Sequence, residues 1–241
     1  GTGAWNSGIK WYEKIFTEDD YIAILDDDDS WYEGYIASCY RVVTSSSKTL
    51  DAVFGFIKRS DCEMCNIFEV KDININNFLK GNPGIQGSNM FFRFGALRAI
   101  GGFDETLASC TDRDLMIRFL QKHSNENIKI IPKILVNHFV SKDSVTSNFT
   151  TKANGLNSFH IKYIRFYSED LLDRALQRAK RLFNYQETDN IKKIFNLTHK
   201  YAKTEKIVIG VAIHNNKSTI RRCLESILVQ NDLKRDVWIL I

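Results

Sequence analysis

The sequence predicts an α/β protein, and three observations carry that prediction. Short aliphatic runs, such as Tyr21-Ile22-Ala23-Ile24-Leu25 and Ile207-Val208-Ile209-Gly210-Val211-Ala212-Ile213, have the composition of strands buried in a sheet. Segments with apolar residues at helical spacing lie between such runs. The first run ends in four consecutive acids, Asp26-Asp27-Asp28-Asp29, followed by Ser30-Trp31. In open α/β sheets, ligands bind beyond the carboxyl ends of the strands.

The elements follow in order. Ile9, Tyr12, Ile15 and Phe16 mark an amphipathic helix over Ile9–Phe16. The acid-tipped strand comes next, and Trp31–Val43 resumes helical spacing. Leu50–Ile57 alternates as a strand does. Asn82-Pro83-Gly84 is a turn. Met90–Phe94 reads as a strand, and Leu115–Lys122 as a helix whose acidic start suits its dipole. Ile128–Val136 is a strand interrupted by Pro132, which predicts an edge position. Residues 151–205 contain no proline and carry long helical runs, Ser168–Phe183 and Asn190–Lys203. Ser168, Glu169 and Asp170 start the first of them, and Leu171, Leu172, Ala175, Ala179 and Leu182 form its apolar stripe. This region reads as a helical connector. Residues 206–213 form another strand, 214–218 a polar loop, 219–229 an amphipathic helix, and 237–241 a further strand.

Composition narrows the function classes. The 241 residues are 44% hydrophobic and 26% charged, ordinary values for a soluble globular protein. A net charge of +4 is too mild to argue for nucleic acid. No apolar stretch approaches a membrane span, and Gly1-Thr2-Gly3-Ala4-Trp5 has no signal-peptide character. Five cysteines, an odd number without an export signal, predict reduced thiols and a cytoplasmic setting. Cys62-Glu63-Met64-Cys65 is a lone CxxC. A structural zinc site would want a second pair or nearby histidines, and none follows at suitable spacing.

The four acids carry most of the chemical information. Held this close, carboxylates repel one another unless a cation neutralises them. A dense set of oxygen ligands suits Mg²⁺ or Mn²⁺ rather than zinc. The expected cargo is a metal with a phosphate-bearing ligand. The competing reading is a solvated acidic turn that caps the next helix.

Four motifs then occur in one order. Trp5-Asn6-Ser7-Gly8-Ile9 is followed by Leu25-Asp26-Asp27-Asp28-Asp29-Ser30-Trp31, then Gly101-Gly102-Phe103-Asp104-Glu105, then Thr111-Asp112-Arg113-Asp114-Leu115. Together they resemble family-2-type glycosyltransferases of the GT-A fold, over residues 1 to about 148. Residues 206–229 resemble the opening strand, loop and helix of the same fold. Of that loop's usual pattern only Asn215 is retained. The resemblance implies a GT-A, nucleotide-diphospho-sugar transferase mixed sheet of Rossmann-like character over residues 1–150, without its opening strands. A helical connector over 151–205 and the start of a second GT-A-like module over 206–241 complete the expected organisation, an excerpt of a tandem two-module protein.

The resemblance also implies a reaction and a site. The reaction is sugar transfer from a nucleotide-diphosphate donor to a hydroxyl acceptor, inverting and metal-dependent, in polysaccharide or glycan synthesis, with this stretch alone inactive. Asp28 is the expected ligand of Mn²⁺ or Mg²⁺, joined by His138. Asp26, Asp27 and Asn6 are expected to contact the donor, and Gly101, Gly102 and Asp104 the acceptor. Asp112 is the expected catalytic base. Asp29 is either a supporting acid or a cap of the helix after Trp31, and Asp114 is a helix-start residue. Arg93 and Arg118 either face phosphate or pair with acids. The implied partners are a nucleotide sugar and a glycan or lipid-linked acceptor, not nucleic acid, with peripheral membrane association through another region at the cytoplasmic face. Two rivals stand beside this reading. One is a catalytically degenerate transferase module acting as a scaffold. The other is a metal-dependent phosphotransferase, which would want a glycine-rich phosphate loop that this sequence lacks.

Overall fold

The computed structural model describes residues 2–62, 65–140, 149–200, 207–210 and 237–240. The chain divides into two compact units, Gly1–Ile194 and Phe195–Ile241. In the first, helix α1 (Thr2–Tyr12) precedes strands β1 (Tyr21–Ala23) and β2 (Asp29–Trp31) and helix α2 (Tyr35–Ser45). Strand β3 (Ala52–Arg59), helix α3 (Ile75–Lys80), strand β4 (Met90–Arg93), and helices α4 (Phe94–Ala99) and α5 (Thr111–Lys122) follow. Strand β5 (Ile128–His138) is succeeded by helices α6 (Phe149–Lys162), α7 (Glu169–Phe183) and α8 (Thr188–Lys200).

The fold is the α/β class that the sequence predicts, built on a five-stranded mixed sheet of order β1-β4-β3-β5-β2. The pair β3–β5 is parallel; β1–β4, β3–β4 and β2–β5 are antiparallel. Strand β3 lies at the centre, and its first six residues are all buried. The alternation expected there is therefore absent, because both faces of a central strand are covered. On one face Tyr35 and Cys39 of α2 join Leu50, Val53, Ile57, Phe91, Ile131, Leu135 and Val136 in one cluster. On the other face Phe92 stands edge-on to Phe54 and packs against Phe119 of α5, ring centres 5.7 and 5.2 Å apart.

Pro132 of β5 sits where its register with β3 slips: Gly55 pairs with Ile131, and Phe56 with Ile134. A bulge leaves the missing N–H without a ladder partner to lose. On its other side β5 is paired only at Val136–His138, by β2. The edge character that Pro132 predicts thus belongs to the first two-thirds of the strand.

Other expected elements shift for tertiary reasons. The first helix begins at Thr2 and ends at Tyr12, where Phe16 folds back to stack on Tyr12 at 4.7 Å. Trp31 is a strand residue rather than a helix start, because Asp29–Trp31 pairs with His138–Val136. Its indole N–H donates to the Ser88 carbonyl, 2.7 Å, and its ring stacks on Tyr35. Asn82 closes the expected turn by accepting from the Gly84 and Ile85 amides. Ser168 caps α7 through the Leu171 amide, but the buried stripe uses Leu176 and leaves Leu182 exposed. Helices α6 and α7 belong to the same compact unit as the sheet.

In the second unit, strands β6 (Ile207–Gly210) and β7 (Val237–Leu240) pair in parallel, Ile207 opposite Val237. The polar loop, the helix over 219–229 and Cys223 lie outside the described residues. No helix among the described residues is long and apolar enough to cross a membrane.

Candidate active site

The four acids do not act as one cluster. Asp26 leaves β1 and is half-buried, Asp27 and Asp28 are exposed in the following turn, and Asp29 enters β2. The turn is closed by the Asp29 amide donating to the Asp26 carbonyl, 3.2 Å. Strand pairing then aims the Asp29 carboxylate inward, where its side chain is 1% exposed. Three donors hold it there: Ser88 Oγ at 2.6 Å, His138 Nδ1 at 2.8 Å and the Phe139 amide at 3.1 Å. Burial pushes this carboxyl up, but the His138 and Ser88 bonds outweigh burial and hold it below its ordinary range. Helix α2 begins at Tyr35 without a side-chain cap, so Asp29 does not cap it.

The Asp29 bond assigns the proton of a neutral His138 ring to Nδ1, leaving Nε2 as the free lone pair. The same bond raises the proton affinity of His138. A carboxylate anchoring one imidazole nitrogen is how proteins orient a histidine for a metal on the other. Asp28 is, with Asp27, an exposed carboxylate of the turn, and its charge acts on both Asp26 and His138. Among the described residues no three His, Cys, Asp or Glu side chains converge as a complete cage. Mg²⁺ and Mn²⁺ do not require one, because substrate phosphates and water commonly complete the shell. Asp28 and His138 are the two residues here whose carboxylate and imidazole donors suit such a cation chemically.

Asp26 and Asp112 approach from opposite elements, with Gly87 between them. Asp112 opens α5 and lies beside the Gly87 backbone. A Cβ placed on Gly87 would lie 3.1 Å from Asp26 Oδ2 and 2.6 Å from the Trp5 ring. Any side chain there would fill the space these groups share. Burial first, then the Asp29 and Asp28 charges, push the Asp26 carboxyl up to about 6. Burial first, then Asp26, push Asp112 up to about 7, against the opposing charges of Lys152 and His138. A cation on the Asp28 side would relieve this crowding of like charge.

Ser88 joins the two ends of the acid run. It is fully buried, accepts the Asp26 amide proton at 3.1 Å, and donates to Asp29. The sequence motifs do not include Ser88, Gly87 or Lys152. The sequence signal available for the first two was the small-residue run Gly87-Ser88-Asn89 just before β4.

Asn6, expected to contact the donor, is engaged within the fold. Its side chain clamps the Gly101–Glu105 turn, accepting from the Phe103 amide at 2.8 Å and donating to the Phe103 carbonyl at 2.7 Å and to Glu105 Oε1 at 2.8 Å. Gly101 and Gly102 both have left-handed backbones, φ +77° and +69°, and a Cβ on Gly102 would lie 2.5 Å from Asn6 Oδ1. Phe103 then packs on Trp5, ring centres 4.7 Å apart, which ties this turn to the residue over Gly87. Asp104 is engaged through both oxygens, with Thr106 on Oδ1 and Lys162 on Oδ2. Asp27 stays exposed in its turn.

Asp114, two residues after Asp112, is fully buried and anchors α5. It accepts from Arg118 Nε at 2.8 Å and from the Tyr163 hydroxyl at 2.7 Å. Arg93 likewise pairs with Asp51, through Nε at 3.0 Å and Nη2 at 2.8 Å. Both arginines thus hold acids inside the fold. Cys62 is exposed, and Cys65 donates its thiol to the Ile57 carbonyl.

The chain thus presents a mixed α/β sheet with an acidic turn, an anchored histidine and a second carboxylate facing them. No family model matches the chain, and no curated protein matches it. Among the solved structures similar to it are two of S. aureus TarS. One is S. aureus TarS, with 14% identity, covering 83% of this chain and 40% of that one at a TM-score of 0.43. The other is S. aureus TarS 1–349 in complex with UDP, with 14% identity, covering 78% and 53% of the two chains at a TM-score of 0.42. The chain spans roughly half or less of the length of these proteins.

Proposed function

We propose that this chain carries a glycosyltransferase site, which moves a sugar from a nucleotide-diphosphate donor to the hydroxyl of a glycan or lipid-linked acceptor with inversion. One observation carries the reading. Asp112 at the start of α5 and Asp26 in the turn after β1 lie within electrostatic reach of one another beside the bare backbone of Gly87, and the charges of Asp28 and His138 both act on Asp26. Order and spacing of the four sequence motifs support it.

Asp112 accepts the proton of the attacking hydroxyl at its carboxylate. A base whose proton affinity matches neutral pH is the efficient choice, and burial against Asp26 puts Asp112 near that value. Asp28 and His138 Nε2 would hold Mn²⁺ or Mg²⁺; when bound, the cation offsets the negative charge that develops on the departing diphosphate. Asp26 takes the donor's ribose side, and Asp27 supplies negative charge to the turn. Asn6, Gly101 and Gly102 shape the acceptor side through the clamped turn, and Asp104 holds that turn rigid. Trp5 excludes water over Gly87.

The test is a panel of nucleotide sugars with Mn²⁺, scored for transfer and for donor hydrolysis, with Asp112→Asn alongside. Turnover lost in the variant, with donor affinity by calorimetry unchanged, supports the assignment. Parallel loss of donor affinity would mean that Asp112 is structural, and absence of any metal-dependent turnover by the full-length protein would favour the scaffold reading.

A further inference from the structure

We infer that Lys162 of α6 is a positioning residue, which locks the helix bearing Asp112 to the Gly101–Asp104 turn. The inference rests on the reading of Asp112 as the base and adds a second level to it: the element that sets the base lies outside the sheet. Lys162 Nζ donates to Asp104 Oδ2 at 2.6 Å and lies 2.5 Å from Asp114 Oδ1. One ammonium therefore bridges the acceptor-side turn and α5. The bridge is partly shielded, with Lys162 34%, Asp104 18% and Asp114 0% exposed.

Three further contacts make α6 a strap across this region. Gly155 packs so closely on Ser109 that a Cβ would collide with its backbone nitrogen. The Ser109 hydroxyl donates to the Lys152 carbonyl at 3.4 Å. Phe159 lies under the Arg113 guanidinium, 4.1 Å from ring centre to Cζ, while Arg113 itself binds the Phe78 and Leu79 carbonyls at the end of α3. Tyr163 completes the hold on Asp114. Asp112 lies between Ser109 and Asp114 along the chain, so both flanks of the base are fixed by α6. The backbone that carries the Asp112 carboxylate is held from the α6 side on both flanks. Small displacements at a reacting group are costly, and supporting ion pairs of this kind keep such groups in register.

The experiment compares Lys162→Met, Lys162→Arg and Asp104→Asn by hydrogen exchange at the Gly102 and Phe103 amides, and by transfer kinetics. Lys162→Met is expected to speed exchange at these amides on the order of tenfold and to lower kcat on the order of ten- to a hundredfold with donor KM unchanged. Lys162→Arg, which keeps charge and reach, restores both. Asp104→Asn, which releases only the turn, speeds exchange at Gly102 and Phe103, and it decides the matter if Lys162→Met does not fold. Unaltered exchange in a folded Lys162→Met protein overturns the inference, whatever the kinetics. Faster exchange with unaltered kcat in an active enzyme overturns it too, since the bridge would then be structural alone. If the full-length protein transfers no sugar, the functional reading fails, while exchange at Gly102 and Phe103 still decides whether Lys162 locks the turn to α5.

Discussion

Asp29 and His138 are register partners across β2 and β5, and their side chains meet as their backbones do, with Nδ1 2.8 Å from Oδ1. The strand pairing thus places a histidine, remote in sequence, beside the acid run, and the last acid of the run orients it. Asp28 and His138 are the two arms of the proposed metal platform.

Divalent-metal binding is expected to depend on both arms of this platform. Asp28→Ala and His138→Ala should each weaken Mn²⁺ affinity by about tenfold or more in the presence of a nucleoside diphosphate. Isothermal calorimetry reads this directly. Unchanged affinity in both variants would remove the metal assignment.

Activity should follow the protonation of Asp112. Its carboxyl is pushed up to about 7, chiefly by burial, so the base form accumulates as pH rises through that value. A pH profile of kcat/KM is expected to climb through about pH 7. A metal-bound site would move this limb downward, because a nearby cation favours the carboxylate.

Asp112→Asn should stabilise the fold while stopping turnover. A carboxyl whose folded proton affinity is raised contributes stability at low pH, lost as pH rises through the folded value. Removing the charge should therefore raise Tm above about pH 7, by roughly 2–4 °C per kcal/mol recovered, and leave it little changed below pH 4. Turnover should fall by about 10²-fold or more. Scanning calorimetry at two pH values gives the answer.

Ser88→Ala removes the one side chain that serves both ends of the acid turn. Two buried groups lose a partner, at a cost of about 1–3 kcal/mol, measurable by urea denaturation. His138 should also lose part of its raised proton affinity as Asp29 loosens, visible in its imidazole NMR titration.

Below pH 4 the Asp104–Lys162 bridge should fail. Burial raises the Asp104 carboxyl, but the Lys162 and Thr106 bonds outweigh it and bring it to about 2. Stability from a depressed carboxyl is present above its unfolded value and is lost as pH falls through the folded one. The stability gap between the parent protein and Lys162→Met should therefore close between about pH 4 and pH 2, as acid unfolding monitored by circular dichroism would show.

What the sequence determined by itself was local. Aliphatic runs fixed the strands at Tyr21 and Met90, Asn82-Pro83-Gly84 fixed a turn, and Ser168 fixed the start of α7, because each depends on near neighbours. The motif order pointed to Asp26, Asp28 and Asp112 as acids of one site. Tertiary structure decided their division of labour. Burial and strand register, which pair residues a hundred positions apart, made Asp29 an anchor for His138, made Asn6 a clamp, and pushed Asp26 and Asp112 up across Gly87. The same long-range contacts turned Trp31 into a strand residue and covered both faces of β3. Hydrogen-bond partners and desolvation are properties of the folded neighbourhood, so no reading of local pattern could assign them.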